Sequence, residues 1–315
     1  MSNADLRAPA ETAMRQCMNL TSEESCVIVT DEKREHIAAA LYDVGIEITD
    51  DIATISYPVG NQHGSEPSSA VAAAMAGADV FLAPTTKSLS HTTARSNAIE
   101  NGSRGATLPG ITEEVFITGL NADYERIATA CEEVLEQVRD ATEIRVTSPQ
   151  GTDISIGLGD RSWLPDTGIV HDAGDFSNLP AGEVFISPET ATGKVVVDGT
   201  MRPYGLLEQP VVFTVEDGYV TEMEDDAVRA ELEEAAVEVG EDAYNFAELG
   251  IGTNVGVTEL IGSVLLDEKA GGTVHMAIGD NHGIGGDTVA PIHMDGILRE
   301  PTVFADGEKV RLPTA

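Results

Sequence analysis

The chain has 315 residues, about twice the ~150 of a typical domain, and 42% of them are hydrophobic, enough to bury cores and to exclude a disordered or fibrous protein. Its 18 Lys and Arg stand against 54 Asp and Glu, a formal net charge of −36. So acidic a surface repels nucleic acid and anionic lipid, which excludes both as expected partners.

In chain order, residues 26–30 (CVIVT) read as a short strand, and 32–45 carry a helical period ending at Gly45. Strands are expected at 52–57 and 79–83, and helices at 67–76 and 90–101, the latter stopped by Gly102. The clearest helix begins after Asn121, its expected N-cap, with Ile127, Cys131, Leu135 and Val138 on one face. Such strand–helix alternation predicts a doubly wound, mostly parallel α/β sheet over residues 1–142. From 143 to 315 the chain turns strand-rich. Runs at 194–197 (KVVV), 210–215 (PVVFTV) and 218–221 fit a β-meander with EDG as hairpin turn, interrupted by an acidic helix at 225–239. A helix near 258–266 completes an α+β second domain.

Three of the seven histidines lie between His275 and His293, among glycines and carboxylates. In IHMDGI a strand places His293 and Asp295 on one face, where an imidazole nitrogen and a carboxylate oxygen can meet one cation. In TVHMAIG, His275 points away from Val274, Met276 and Ile278. Glu183 (PAGEVFISP) and Glu248 (FAELGIGTN) sit in apolar, Gly-flanked strands, and a buried carboxylate needs a cation or hydrogen-bond donors. Two histidines and one aspartate suffice for a single iron-type site, whereas a two-metal hydrolytic site needs a bridging carboxylate as well. The run Gly250-Ile-Gly252-Thr-Asn-Val-Gly256 also permits a dinucleotide loop, although it is GxGxxxG and lies outside the α/β half. A third alternative is a non-catalytic acidic binding protein with a vestigial metal site. His36, His91 and His171 read as surface, capping or packing residues. GxSxG, HExxH and a phosphate loop ending in GK[ST] are absent.

GEVFISP, AELGIGTN, LLDEKAGGTVHMAIG and PIHMDGIL, in that order, resemble the successive site motifs of the thermophilic aminopeptidases of the aminopeptidase T and aminopeptidase S type. The likeness is strongest from about residue 180 onward and extends in the first domain to SLSHTTARSNAIENGSRGATLPG. It implies that Glu183, Glu248, His275, His293 and Asp295 bind two divalent cations (Zn, Co or Mn), one carboxylate bridging them. A metal-activated water would then attack the first peptide bond of a small peptide, Glu248 or Glu183 moving the proton. His282 replaces the tyrosine that this family places seven residues after the first histidine, which makes it a further catalytic candidate. A homodimer is implied too. The alternative within the same superfamily is a mononuclear Fe(II) ring-cleaving dioxygenase of the dihydroxypyridine dioxygenase type. That type shares the His-x-Asp pair, carries histidine at the position of Glu248 and lacks Glu183.

The bias of 13 Arg over 5 Lys, with 4% aromatics, resembles proteins of salt-in halophiles, where carboxylates hold water and salt screens their repulsion. Cys17, Cys26 and Cys131 lack metal spacing and are expected as free buried thiols. With no signal-like N-terminus and no ~18-residue apolar run, the chain is expected to be cytoplasmic.

Overall fold

Four short strands from residues 26–109 and a fifth from 176–178 pair side by side into a five-stranded sheet. Its order is Ile52–Tyr57, Cys26–Asp31, Val80–Thr85, Arg104–Pro109, Phe176–Asn178, with every pair parallel. Cys26–Asp31 and Val80–Thr85 are buried at every residue, which is why they read as continuous apolar runs without alternation. Helices Ser69–Gly77, Thr93–Glu100 and Glu113–Leu120 each start on a hydroxyl cap, Ser68, Thr92 and Thr112, that accepts a backbone N–H three residues on. Val29, Val71, Met75, Phe81, Leu89 and Ala98 meet in the core between sheet and helices.

This is a computed structural model that describes residues 3–314. It forms two compact units, one of Met1–Ala128 with Thr167–Ala181, the other of Thr129–Asp166 with Gly182–Ala315. The architecture is mixed α/β, a parallel sheet in the first unit and antiparallel, strand-rich sheets in the second.

The second unit contains two seven-stranded sheets. In one, Tyr219–Met223, Val211–Glu216, Thr190–Val197, Asp153–Gly157, Glu143–Thr147, Thr302–Ala305 and Glu308–Lys309 follow one another antiparallel. Its EDG hairpin turns through Asp217 (φ 49°) and Gly218 (φ 86°), the two positive φ values of a type I′ turn. The other sheet runs Gly205–Leu206, Thr200–Met201, His293–Leu298, Val274–Gly279, Phe246–Gly252, Glu183–Ile186, Leu164–Asp166. The acidic helix is Asp226–Val239, capped by the Asp225 carboxylate.

Several local expectations are corrected. Asn121 is the C-cap of Glu113–Leu120, and Asp123 takes the first N–H groups of the helix Tyr124–Val138. Both residues are good caps, and the turn between two successive helices decides which one serves. The helix expected at 258–266 is a single turn, Val264–Asp267. Gly250 and Gly252 lie inside the strand Phe246–Gly252, and the next helical element is the distant single turn Val264–Asp267, so the dinucleotide loop does not form. A Cβ on Gly252 would lie 2.1 Å from the Ala270 carbonyl oxygen, and close backbone approach is what requires that glycine.

Among the described residues no helix is long and apolar enough to cross a membrane. All three cysteines are buried and outside any disulfide, and burial pushes the Cys26 and Cys131 thiols up to about 12.

Candidate metal centre

Four neighbouring strands of the second sheet carry the centre. Gly252 faces Glu183, Gly250 faces His275, Ala277 faces both Glu248 and Asp295, and Gly279 faces His293. Residues directly opposite in a ladder share a face, as do alternate residues along a strand. Glu183, Glu248, His275, His293 and Asp295 therefore project from one face, separated by Gly250, Gly252, Ala277 and Gly279. The small residues leave room for the larger ones to converge. Leu249, Ile251, Val274, Met276, Ile278 and Met294 take the opposite face and are buried there.

The contacts form a chain. His275 Nε2 lies 3.4 Å from Glu183 Oε2 and 3.3 Å from Glu248 Oε1. His293 Nε2 lies 3.3 Å from Glu248 Oε2 and 3.4 Å from Asp295 Oδ1. Each imidazole is anchored at its other nitrogen, where Nδ1 donates to a backbone carbonyl: Glu268 at 3.0 Å for His275 and Asp280 at 2.7 Å for His293. A carbonyl can only accept, so the anchor fixes each tautomer and leaves Nε2 facing carboxylate oxygens. A neutral Nε2 lone pair repels those oxygens unless a proton or a metal ion lies between them.

Electrostatics agree with the geometry. Burial disfavours charge on His275, but the Glu248 hydrogen bond and the charges of Glu183, Glu248 and Glu268 push its imidazole up to about 9. Burial likewise opposes a charged His293, and Asp295 and Glu248 raise it well above its ordinary value. Burial alone would lift Glu248 and Asp295, yet the neighbouring imidazoles hold both carboxyls below the usual carboxylate range.

One oxygen or nitrogen each from Glu248, His293 and Asp295 lie within 4.8 Å of one another, close enough to share one ion. Carboxylates with an anchored imidazole suit a divalent first-row metal. Among the described residues Glu183 Oε2 is buried without a hydrogen-bond partner, a further sign that this face is built for positive charge. Lys269 and Glu268, which the sequence motifs do not single out, adjoin the five. Lys269 is 2% exposed, and its Nζ donates to Glu183 Oε1 at 3.0 Å and to Glu268 Oε1. A lysine directly after Asp267 and Glu268 and before Ala270-Gly-Gly, in a chain with 5 lysines, was the available signal. His282 lies exposed in the short turn His282–Ile284, and no contact among the described residues joins it to the five.

A curated protein, 2,5-dihydroxypyridine 5,6-dioxygenase of Pseudomonas putida KT2440, is 24% identical over 204 residues, 60% of this chain. The match spans 57% of that relative's own length. Among solved structures, 2,5-dihydroxypyridine dioxygenase from Pseudomonas putida KT2440 superposes with a TM-score of 0.79 at 19% identity, over 99% of this chain and 97% of that one. Wild-type AmpT from Thermus thermophilus superposes with a TM-score of 0.68 at 16% identity, over 98% and 99%. At these identities both structures speak for the fold alone, and the aminopeptidase-like fold is shared by the two.

The expected hydrolase is overturned, because the sequence relative and the family model are dioxygenases, oxidoreductases and not peptidases. One fold carries both chemistries, so ordered carboxylate and histidine motifs fixed the architecture without fixing the reaction. The expected cation pair is not supported either; one close ligand triad is present among the described residues, and Glu183 is paired with Lys269. Residues 8–312 match the model of the NicX family, 2,5-dihydroxypyridine 5,6-dioxygenase, and the chain belongs to that family.

Proposed function

We propose that this chain is a mononuclear Fe(II)-dependent dioxygenase that opens the ring of a dihydroxylated pyridine or a closely related electron-rich heteroaromatic. The observation that carries the reading is a family match over nearly the whole chain, together with a close ligand triad on one sheet face. In this reading Glu248, His293 and Asp295 hold the ion, and His275 stands beside them. A ferrous ion supplies the redox step that lets dioxygen react with an electron-rich ring.

The protein's own part is to fix the ligands and shape their charge. The carbonyls of Glu268 and Asp280 hold the two imidazoles with Nε2 turned inward. Two carboxylates and one imidazole depart from the commoner set of two histidines and one carboxylate, and they still suit Fe(II) or Mn(II). The extra carboxylate places one more negative charge at the centre, which favours a hard divalent ion.

Anaerobic reconstitution with Fe(II), followed by addition of 2,5-dihydroxypyridine and oxygen, tests the proposal. Oxygen consumption should match the loss of ring absorbance mole for mole, and Asp295→Ala should lower both at least 100-fold. Release of amine from aminoacyl anilides without oxygen uptake would instead sink it.

A further inference from the structure

Lys269 is a buried cation next to the triad but outside it. A buried ammonium persists only where carboxylates compensate it, and Glu183 and Glu268 do so here. Desolvation opposes its charge, and the carboxylates of Glu183, Glu268 and Asp166 keep it protonated.

The face contains two similar groups of donors that share Glu248. One is His293 Nε2, Glu248 Oε2 and Asp295 Oδ1; the other is His275 Nε2, Glu248 Oε1 and Glu183 Oε2. In both, an imidazole anchored at Nδ1 presents Nε2 to two carboxylate oxygens. They differ at the outer carboxylate. Among the described residues no lysine or arginine pairs with Asp295, whereas Glu183 is bound to the Lys269 ammonium at 3.0 Å. A divalent ion on Glu183 would share one buried carboxylate with an ammonium, where little water screens like charges from each other.

We propose that Lys269 is the built-in cation of this second group, and that its ammonium neutralises Glu183 and confines the centre to one divalent ion. The proposal rests on the single-metal reading above. It makes Lys269 a positioning residue that sets metal stoichiometry and is not a ligand.

Equilibrium dialysis of the full chain against Mn(II), followed by elemental analysis and electron paramagnetic resonance, tests it. The unaltered protein should take up one equivalent with an uncoupled signal. Lys269→Met should take up two, with the exchange-coupled signal of neighbouring ions, and Lys269→Arg should stay at one. Lys269→Gln keeps a donor toward Glu183 without the charge, so it should also reach two and serves if Lys269→Met does not fold. One equivalent in folded Lys269→Gln, beside one in the unaltered protein, overturns the role of Lys269 and leaves the single-metal reading intact. Two equivalents in the unaltered protein overturn both.

Discussion

The imidazole of His275 lies against the bare backbone of Gly250. The two residues face each other across adjacent antiparallel strands, and a Cβ on Gly250 would come within 2.0 Å of His275 Nε2 and Cε1. The neighbour in the way is a ring held at Nδ1 by the Glu268 carbonyl, so it cannot swing aside without losing that anchor. Gly250→Ala should therefore displace His275 and its contact with Glu248. Metal affinity is expected to fall by roughly 10–100-fold, as when the outer support of a ligand is lost. Titration calorimetry with Mn(II) checks this; an unchanged dissociation constant would show that the glycine is not what seats the ring.

Asp267 neighbours the centre in sequence but serves the loop. It is fully buried and accepts from Thr200 Oγ1 at 2.6 Å, the Gly262 N–H at 2.8 Å and the Ile261 N–H at 2.9 Å. Asp267→Ala strands those donors and should cost about 3 kcal/mol of stability. Urea unfolding measures the loss, and a change under about 0.5 kcal/mol, typical of surface substitutions, would refute the role.

In the first unit, Glu24 pairs with Arg104, which also donates to the carbonyls of Met18 and Val170. The Arg104 hydrogen bond holds the Glu24 carboxyl down at about 2, against 4.5 for an ordinary glutamate. A depressed folded-state value means stability that is complete above about pH 4.5 and lost as pH falls toward 2. Glu24→Gln should thus be less stable than the unaltered protein at pH 7, by at most about 3 kcal/mol. The gap should narrow steadily below pH 4.5. Denaturant melts of both proteins across that range settle it, and a gap independent of pH would contradict the assignment.

A net charge of −36 makes the folded chain repel itself, and added salt screens that repulsion. The thermal midpoint should rise by roughly 5 °C or more between 0.1 and 2 M KCl, about 2 kcal/mol for domains of this size. Scanning calorimetry at several KCl concentrations gives the slope. A midpoint that falls with salt would mean that favourable ion pairs outweigh the repulsion.

Much of the fold could be read along the chain because local rules and tertiary structure agree there. Cys26–Asp31 and Ile52–Tyr57 are strands where their β-branched runs predict them, and Asp217–Gly218 turns as its positive-φ residues dictate. The alternation in PIHMDGIL and TVHMAIG turned His275, His293 and Asp295 to the face opposite Met276 and Met294, since a strand has a period of two whatever it pairs with. Cap choice at Asn121 and Asp123 was not legible, because it depends on how two successive helices join.

What the sequence determined by itself was composition, charge, period and the kinds of side chain available to a site. Tertiary structure decided their company: strand order brought Glu183, Glu248, His275, His293 and Asp295 side by side, and the Val264–Asp267 turn delivered Lys269 to Glu183. Pairwise attraction between charges depends on distance and burial, and neither is written in the order of residues. That is why a lysine silent in the sequence became the buried partner of Glu183 beside the centre. It is also why ordered ligand motifs alone suggested a hydrolase in a chain whose family is that of a dioxygenase.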